Sequence, residues 1–440
     1  MEQIVAKDVT MRLWVMGNNN GRRGDTKLTE RDPFGLRNLP MDVANSESEQ
    51  RDIFYTNMAP ALEVLRAMGA LPIQTLRVNR NSFSGRRLTS PVMLWSASMY
   101  AGLLTALWFA YSQGFVTTLN SQSFETTLIG YLDLAYHLID LAVPFNNWRE
   151  ARLVAQYMAS WSAFQSHYRV VTGRSLEVNF RRRAVVLTVV LVMVTCGRET
   201  MYQVLENNLD NYLVLLTYWY QALLRDTMGL TWYLLCSLLQ KTAQSLTTSF
   251  QKDVDTAVRP SLVIARYNTL WLQLSRVARQ TGIAMCYTYG FYVLYLFLMT
   301  TVSMYGLISC LEQGIEQRVI YLAGDSLITG TELFIVCDGA NSVTREVGLT
   351  FQGKLLDIRN APISDKVEKE VDAFLRAIEL RPPEINFGGY VTVNRGMLLS
   401  LGSMMVTYLV VLLQLDLSKP QILRDAVNVT SPTTTDDVSA

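Results

Sequence analysis

The last apolar stretch of the chain, Gly396 to Leu415 (GMLLSLGSMMVTYLVVLLQL), constrains the fold more than any other segment. It carries no charge, and at the helical rise its length crosses the hydrocarbon core of a bilayer. The stretch is not uniformly apolar. Ser400, Ser403, Thr407, Val410 and Gln414 recur at spacings of three and four, so they share one helical face on which four of the five side chains can hydrogen-bond. A helix surrounded by lipid gains nothing from such a stripe, so the stripe faces other protein or water. Two readings satisfy that condition. One is close helix packing, for which Gly396-x-x-x-Ser400 supplies small residues. The other is a pore-lining face.

Six further apolar runs precede it, at about Pro91–Phe115, Thr126–Pro144, Ala184–Gln203, Tyr212–Cys236, Ile283–Leu307 and Val319–Cys337. Each approaches the ~20 residues a spanning helix needs, which predicts an all-α fold with seven transmembrane helices. Charged residues, 18% of the chain, gather between these runs. A formal net charge of +1 argues against a nucleic-acid partner. No apolar run long enough for a signal peptide precedes Pro91, so the first span is expected to act as an internal anchor.

Lysine and arginine set the orientation. The segments 1–90, 145–183, 237–282 and 338–395 hold 13, 7, 6 and 8 of them. The intervening loops and the tail hold only Arg198, Arg318, Lys419 and Arg424. This bias predicts a cytoplasmic N-terminus and an extracellular C-terminus. The sequon Asn428-Val429-Thr430 then falls outside the cell, making Asn428 a glycosylation candidate.

The segments on the basic side carry helix patterns of their own. Phe54, Met58, Leu62, Leu65 and Met68 share a face of an amphipathic helix that Gly69 stops, and this helix suits either a membrane surface or another helix. Leu270, Leu274 and Val277 mark a second such helix. Val367, Val371, Phe374 and Ile378 mark a third, with Asp365 and Glu368 as its expected cap and Pro382-Pro383 as its end. The fourth span continues without a breaker through Gln240 to Asp253. Together these predict a packed helical layer under the membrane.

Ionisable residues inside apolar runs are candidate sites because lipid penalises them. Asp133, His137 and Asp140 sit at i, i+4 and i+7 of the second span, which fits a ligand cavity or a hydrogen-bonded helix contact. Arg225 and Asp226 in the fourth span neutralise each other or a neighbouring helix. Asp325 and Glu332, seven apart in the sixth, either face a common cavity or mark misplaced span boundaries. The fifth span is rich in aromatics, among them Tyr289, Tyr292, Tyr295 and Phe297, which suit a small-molecule pocket or membrane packing.

Other chemistries find little support. The five cysteines form no C-x-x-C pair and there are two histidines, so no metal site is expected; Cys196 and Cys310 are candidates for pairing or for inert thiols. H-E-x-x-H, G-x-S-x-G and P-loop patterns are missing, so neither an enzyme nor a cofactor is expected. A metabotropic receptor of opposite orientation and a transporter using Asp133, His137 and Asp325 are the competing classes.

The seven spans lack the Asp-Arg-Tyr and Asn-Pro-x-x-Tyr signatures of G-protein-coupled receptors. The stretch Thr407-Tyr408-Leu409-Val410-Val411-Leu412-Leu413-Gln414-Leu415 instead resembles the signature of insect gustatory receptors: Thr-Tyr, five hydrophobic residues, then Gln-Phe. Leu415 stands where the signature has Phe. INFGGYVTVNRGMLLS before it and the long tail after it are most similar to the carbon-dioxide receptor lineage, with sugar receptors as the alternative. The resemblance implies a ligand-gated, non-selective cation channel in the plasma membrane of chemosensory neurons. It is built of four related subunits, mixed in the carbon-dioxide lineage, with a small molecule bound in an outward-facing cavity of each. Ser403, Thr407, Val410, Gln414 and Leu415 would line the pore and gate, and Asp133, His137, Tyr292 and Asp325 are the cavity candidates. The chain then divides into a cytoplasmic segment (1–90), six transmembrane helices with their loops (91–337), a cytoplasmic anchor region (338–395), the pore-lining helix (396–415) and an extracellular tail (416–440).

Overall fold

Backbone that crosses lipid has to close its hydrogen bonds internally, and these apolar runs do so as helices. The computed structural model describes residues 52–72, 91–110, 124–205, 212–313, 316–360 and 364–430. In chain order the described helices are α1 (Ile53–Ala67), α2 (Pro91–Ala110), α3 (Phe124–Thr172), α4 (Arg181–Leu205), α5 (Tyr212–Thr256) and α6 (Pro260–Ala284). They continue as α7 (Cys286–Gln313), α8 (Glu316–Thr344), α9 (Phe351–Arg359), α10 (Asp365–Leu380) and α11 (Arg395–Thr430). A π-helical segment, Arg345–Thr350, joins α8 to α9 without a break.

Each of the seven expected spans falls on a helix: α2, α3, α4, α5, α7, α8 or α11. Among the described residues, Arg181–Val204, Cys286–Leu311, Val319–Arg359 and Arg395–Gln414 are long and apolar enough to cross a membrane. Val185, Val186, Val189, Val190, Met193 and Val194 of α4 are exposed together, a strip whose natural solvent is lipid.

Two helices are far longer than a bilayer requires. The 49 residues of α3 and the 45 of α5 span roughly 70 Å at the helical rise, against ~30 Å of hydrocarbon. Their extensions build a basal layer with α6, α9 and α10. Its core is aromatic: Phe351 lies 5.1 Å from Phe250 and 5.2 Å from Phe374, and Trp271 lies 5.7 Å from Phe374. Leu270, Leu274 and Val277 of α6 and Val367, Val371, Phe374 and Ile378 of α10 are all buried, as their spacing predicts. The cap of α10 differs from expectation. Ser364 is the N-cap and makes no side-chain capping bond, while Asp365 and Glu368 occupy the first turn, where their charges favour the helix dipole.

The amphipathic α1 docks on helices. Phe54 meets Tyr157 of α3 edge-on at 5.9 Å and the tilted Trp161 ring at 5.8 Å. Asn57, fully buried on the same face, holds the segment that leads into α4: its amide donates to Val178 O (2.9 Å) and its carbonyl accepts from Phe180 N (2.8 Å). The helix stops where Gly69 adopts φ +73°, and its last carbonyls are taken by side chains of α2 and α5, with Trp95 Nε1 donating to Ala67 O and Tyr220 OH to Met68 O.

Two details depart from an all-helical reading. The rod expected from Ile283 is divided at Met285 into α6 and α7. Between α10 and α11 the chain makes a small antiparallel hairpin, β1 (Asn386–Phe387) with β2 (Val391–Thr392), pairing Asn386 with Thr392 and Phe387 with Val391. Gly388 and Gly389, at φ 60° and 86°, supply its turn. The hairpin lies so close to α6 that a Cβ on Gly282 would sit 2.3 Å from Asn386 O. No disulfide joins Cys196 to Cys310.

Candidate functional site

The polar face of α11 is built from its base upward. Asn394 caps the helix, its Oδ1 accepting from Met397 N at 2.9 Å, and Arg395 reaches Asp338 of α8 at 2.7 Å. Met397, Leu398, Leu401 and Met405 then pack on the protein core, and the Tyr408 ring meets Phe297 of α7 edge-on at 6.1 Å. Ser400, Ser403, Thr407, Val410 and Gln414 are all exposed. Among the described residues the stripe therefore lies on the face of α11 turned away from the core of its own chain. Two of its hydroxyls are satisfied along the helix, Ser400 Oγ donating to Gly396 O (3.1 Å) and Thr407 Oγ1 to Ser403 O (3.0 Å). Such a face can meet another helix or water. The helix continues through Leu415 and Asn428 to Thr430, and the side chains of those two positions lie outside the described residues.

A second polar centre lies inside the bundle, where the sequence showed only scattered interruptions. The Arg225 guanidinium, 2% exposed, places Nε 2.9 Å from Asp226 Oδ1 and Nη1 3.0 Å from Asp325 Oδ1, with Glu332 Oε2 at 3.8 Å. From α4, Arg198 pairs with Glu199 at 2.6 Å and approaches Asp226 at 3.9 Å. Hydroxyls complete the shell: Thr195 donates to Asp226 (2.6 Å) and Ser303 to Asp325 (2.8 Å). Tyr292 OH donates to Arg225 O at 3.1 Å. Asp325 and Glu332 do not interrupt the sixth span: α8 runs unbroken through both, and α5 supplies a cation opposite them.

Of the cavity candidates, Tyr292 and Asp325 are brought together through Arg225 and are buried, so they serve the ionic centre. His137 Nδ1 meets Gln221 Nε2 one helical turn from Arg225. The side chain of Asp133 lies outside the described residues. A cavity of about 40 Å³ lies elsewhere, under α1, where Met58, Met158, Met228 and Met285 form an apolar, adaptable lining with Tyr157 and Tyr289. None of the four candidates lines it.

Glu150 has a role the sequence did not reveal. Below the second span, its carboxylate accepts from Tyr287 N (2.6 Å), Thr288 N (3.1 Å) and Thr288 Oγ1 (2.6 Å), capping the start of α7 from outside that helix. Burial pushes this carboxyl above its ordinary range, against the lowering effect of the Thr288 and Tyr287 hydrogen bonds and of Arg149. Arg149 itself lies over the Tyr287 ring at 3.8 Å. In the basal layer, burial and the nearby Arg381 and Arg276 hold the Arg279 guanidinium below its ordinary value.

Comparison with known proteins fits this architecture. Residues 58–419 match the family described as 7tm Chemosensory receptor. The chain is 34% identical over 410 residues to Gustatory and odorant receptor 24 of Anopheles gambiae, covering 91% of this chain and 85% of that protein. It is 26% identical to Gustatory and odorant receptor 21a of Drosophila melanogaster, covering 85% and 83%. The insect olfactory receptor OR5 from Machilis hrabei shares the fold at a TM-score of 0.54 and 14% identity, over 81% of this chain and 97% of that one. The same receptor in complex with eugenol gives a TM-score of 0.55. The chain therefore belongs to the insect 7tm chemosensory receptors, as an all-α, multi-pass membrane receptor and not an enzyme.

Proposed function

We propose that this receptor is a subunit of a ligand-gated, non-selective cation channel in the plasma membrane of chemosensory neurons. In this reading four related subunits surround a pore lined by α11, with residues 338–395 as their cytoplasmic anchor, the N-terminus inside and the C-terminus outside. The observation that carries it is the outward-facing stripe: Ser403, Thr407, Val410 and Gln414 are exposed while the opposite face of α11 packs on α7 and α8. A polar stripe directed at lipid would be wasted, and four such stripes around an axis make a wet channel. Gln414 and Leu415 form the gate, where a ring of Leu keeps the constriction apolar.

Carbon dioxide is the proposed stimulus, sensed with related subunits; the segment leading into α11 supports it, and a sugar is the alternative. The test is current recording from cells expressing this receptor with and without related subunits, against a panel of carbon dioxide and sugars. Gln414→Ala and Ser403→Leu are expected to change conductance, selectivity or gating. Normal currents in both variants refute the pore assignment. An N-terminal tag accessible on intact cells refutes the topology and favours a metabotropic receptor, and saturable uptake with little current favours a transporter.

A further inference from the structure

The ionic centre between α4, α5, α7 and α8 does not balance. Two guanidiniums, Arg198 and Arg225, face four carboxyl groups, Glu199 and Asp226 together with Asp325 and Glu332. Also turned toward it are the Tyr292 and Tyr295 phenols of α7 and Gln221 of α5, which meets the His137 ring of α3. Two uncompensated negative charges at this depth are strongly disfavoured.

A separate observation shows where one of the two is relieved. Glu332 is 7% exposed, yet its Oε2 receives no hydrogen bond, and it stands 3.8 Å from the same Arg225 Nε that Asp226 Oδ1 engages at 2.9 Å, which brings the two carboxyls around one nitrogen. Two carboxylates offer each other only acceptors, so a hydrogen bond between them requires a proton on one. A metal ion is a poor alternative, because no group of three His, Cys, Asp or Glu side chains among the described residues is arranged to hold one. A proton needs no cavity.

We infer that Asp226 and Glu332 form a proton-binding site in which one shared proton ties α5 to α8. Glu332 Oε2–H donates to an Asp226 oxygen, Arg225 holds the ionised partner, and Tyr292 flanks the pair. When the proton leaves for solvent, two carboxylates are left in contact and the helices that carry them repel. Because α8 also packs against α11, proton binding here bears on the helix proposed to line the pore, but the site itself does not depend on that proposal.

The test uses the full-length receptor purified in detergent. Infrared difference spectroscopy, titrated from about pH 5 to about pH 8, reads the C=O stretch of a protonated carboxylic acid, and melting temperature is followed over the same range. The wild type is expected to show the band at neutral pH and to melt at progressively lower temperature as pH rises. Glu332→Gln is expected to lose the band and flatten the melting profile, whereas Glu379→Gln, on the exposed face of α10, keeps both. Absence of the band from the wild type overturns the inference without any variant. If Glu332→Gln does not fold, Asp226→Asn takes its place, and a band that persists unchanged in the folded variant also overturns it. Channel currents play no part in these readouts, so failure of the pore reading leaves the result intact.

Discussion

Replacing Arg225 by Met removes the cation that joins α5 to α8. In the native protein its fork spans Asp226 at 2.9 Å and Asp325 at 3.0 Å, with Glu332 close behind. The variant leaves those three acids with only Arg198, which stands 3.9 Å from Asp226 and is already engaged by Glu199. Breaking a buried ion pair from one side costs about 3–5 kcal/mol. That corresponds to roughly two to four powers of ten in the folded-to-unfolded ratio. Arg225→Lys keeps the charge but not the fork, so its ammonium reaches one carboxylate well and the other poorly, for a loss of about 1–3 kcal/mol. The expected order of stability is wild type, then Lys, then Met. A fluorescently tagged receptor, heated and then resolved by size exclusion, reads that order as the surviving folded fraction. Adding Asp325→Leu to the Met variant removes one stranded carboxylate and is expected to recover part of the loss. A Met variant that melts with the wild type, or a double variant worse than the single, would show that the four groups do not act as one ionic centre.

Three further outcomes follow from other contacts. Asn57→Ala strips partners from the buried Val178 carbonyl and Phe180 amide, which is expected to cost about 2–4 kcal/mol and to appear as protease sensitivity in the segment before α4. Glu150→Ala leaves two backbone amides at the start of α7 without their acceptor, while the Thr288 hydroxyl keeps Asn147 Oδ1, for about 1–3 kcal/mol in the same melting assay. Gly282→Ala drives a methyl into the backbone of Asn386, so hydrogen exchange of the hairpin amides is expected to rise; unchanged protection would mean that the hairpin shifts at no cost.

The helices were legible in the sequence because charge-free runs and i, i+4 faces are local signals, and the basal layer was legible for the same reason. The ionic centre was only half legible. Arg225 and Asp325 each stood out as a charge in an apolar run, but they lie a hundred positions apart and periodicity carries no information about which span faces which. Glu150 lay in a polar stretch, NNWRE, where one more acid reads as a solvated charge. Asn57 did leave a trace: it falls three residues after Phe54 and one before Met58, on the apolar side of α1. The hairpin left one as well, in Gly388-Gly389 between two short β-prone runs. The outward turn of the Ser403–Thr407–Gln414 stripe was not legible at all. The spacing defines a face, and only the packing of Met397, Leu401 and Met405 says which way it looks.

The π-helical segment at Arg345–Thr350 acts as a phase shifter. A π-turn takes in one more residue than an α-turn, so everything below it is rotated by about 100° relative to an unbroken helix. That rotation lets one continuous rod present Asp325 and Glu332 to α5 in the bundle and still turn Phe351 and Leu355 into the aromatic core beneath. Trp271 fastens the setting by donating to Val347 O at 2.7 Å. Removing a single residue from the segment would reset the phase, leaving the ion pairs above in place while swinging the lower core outward.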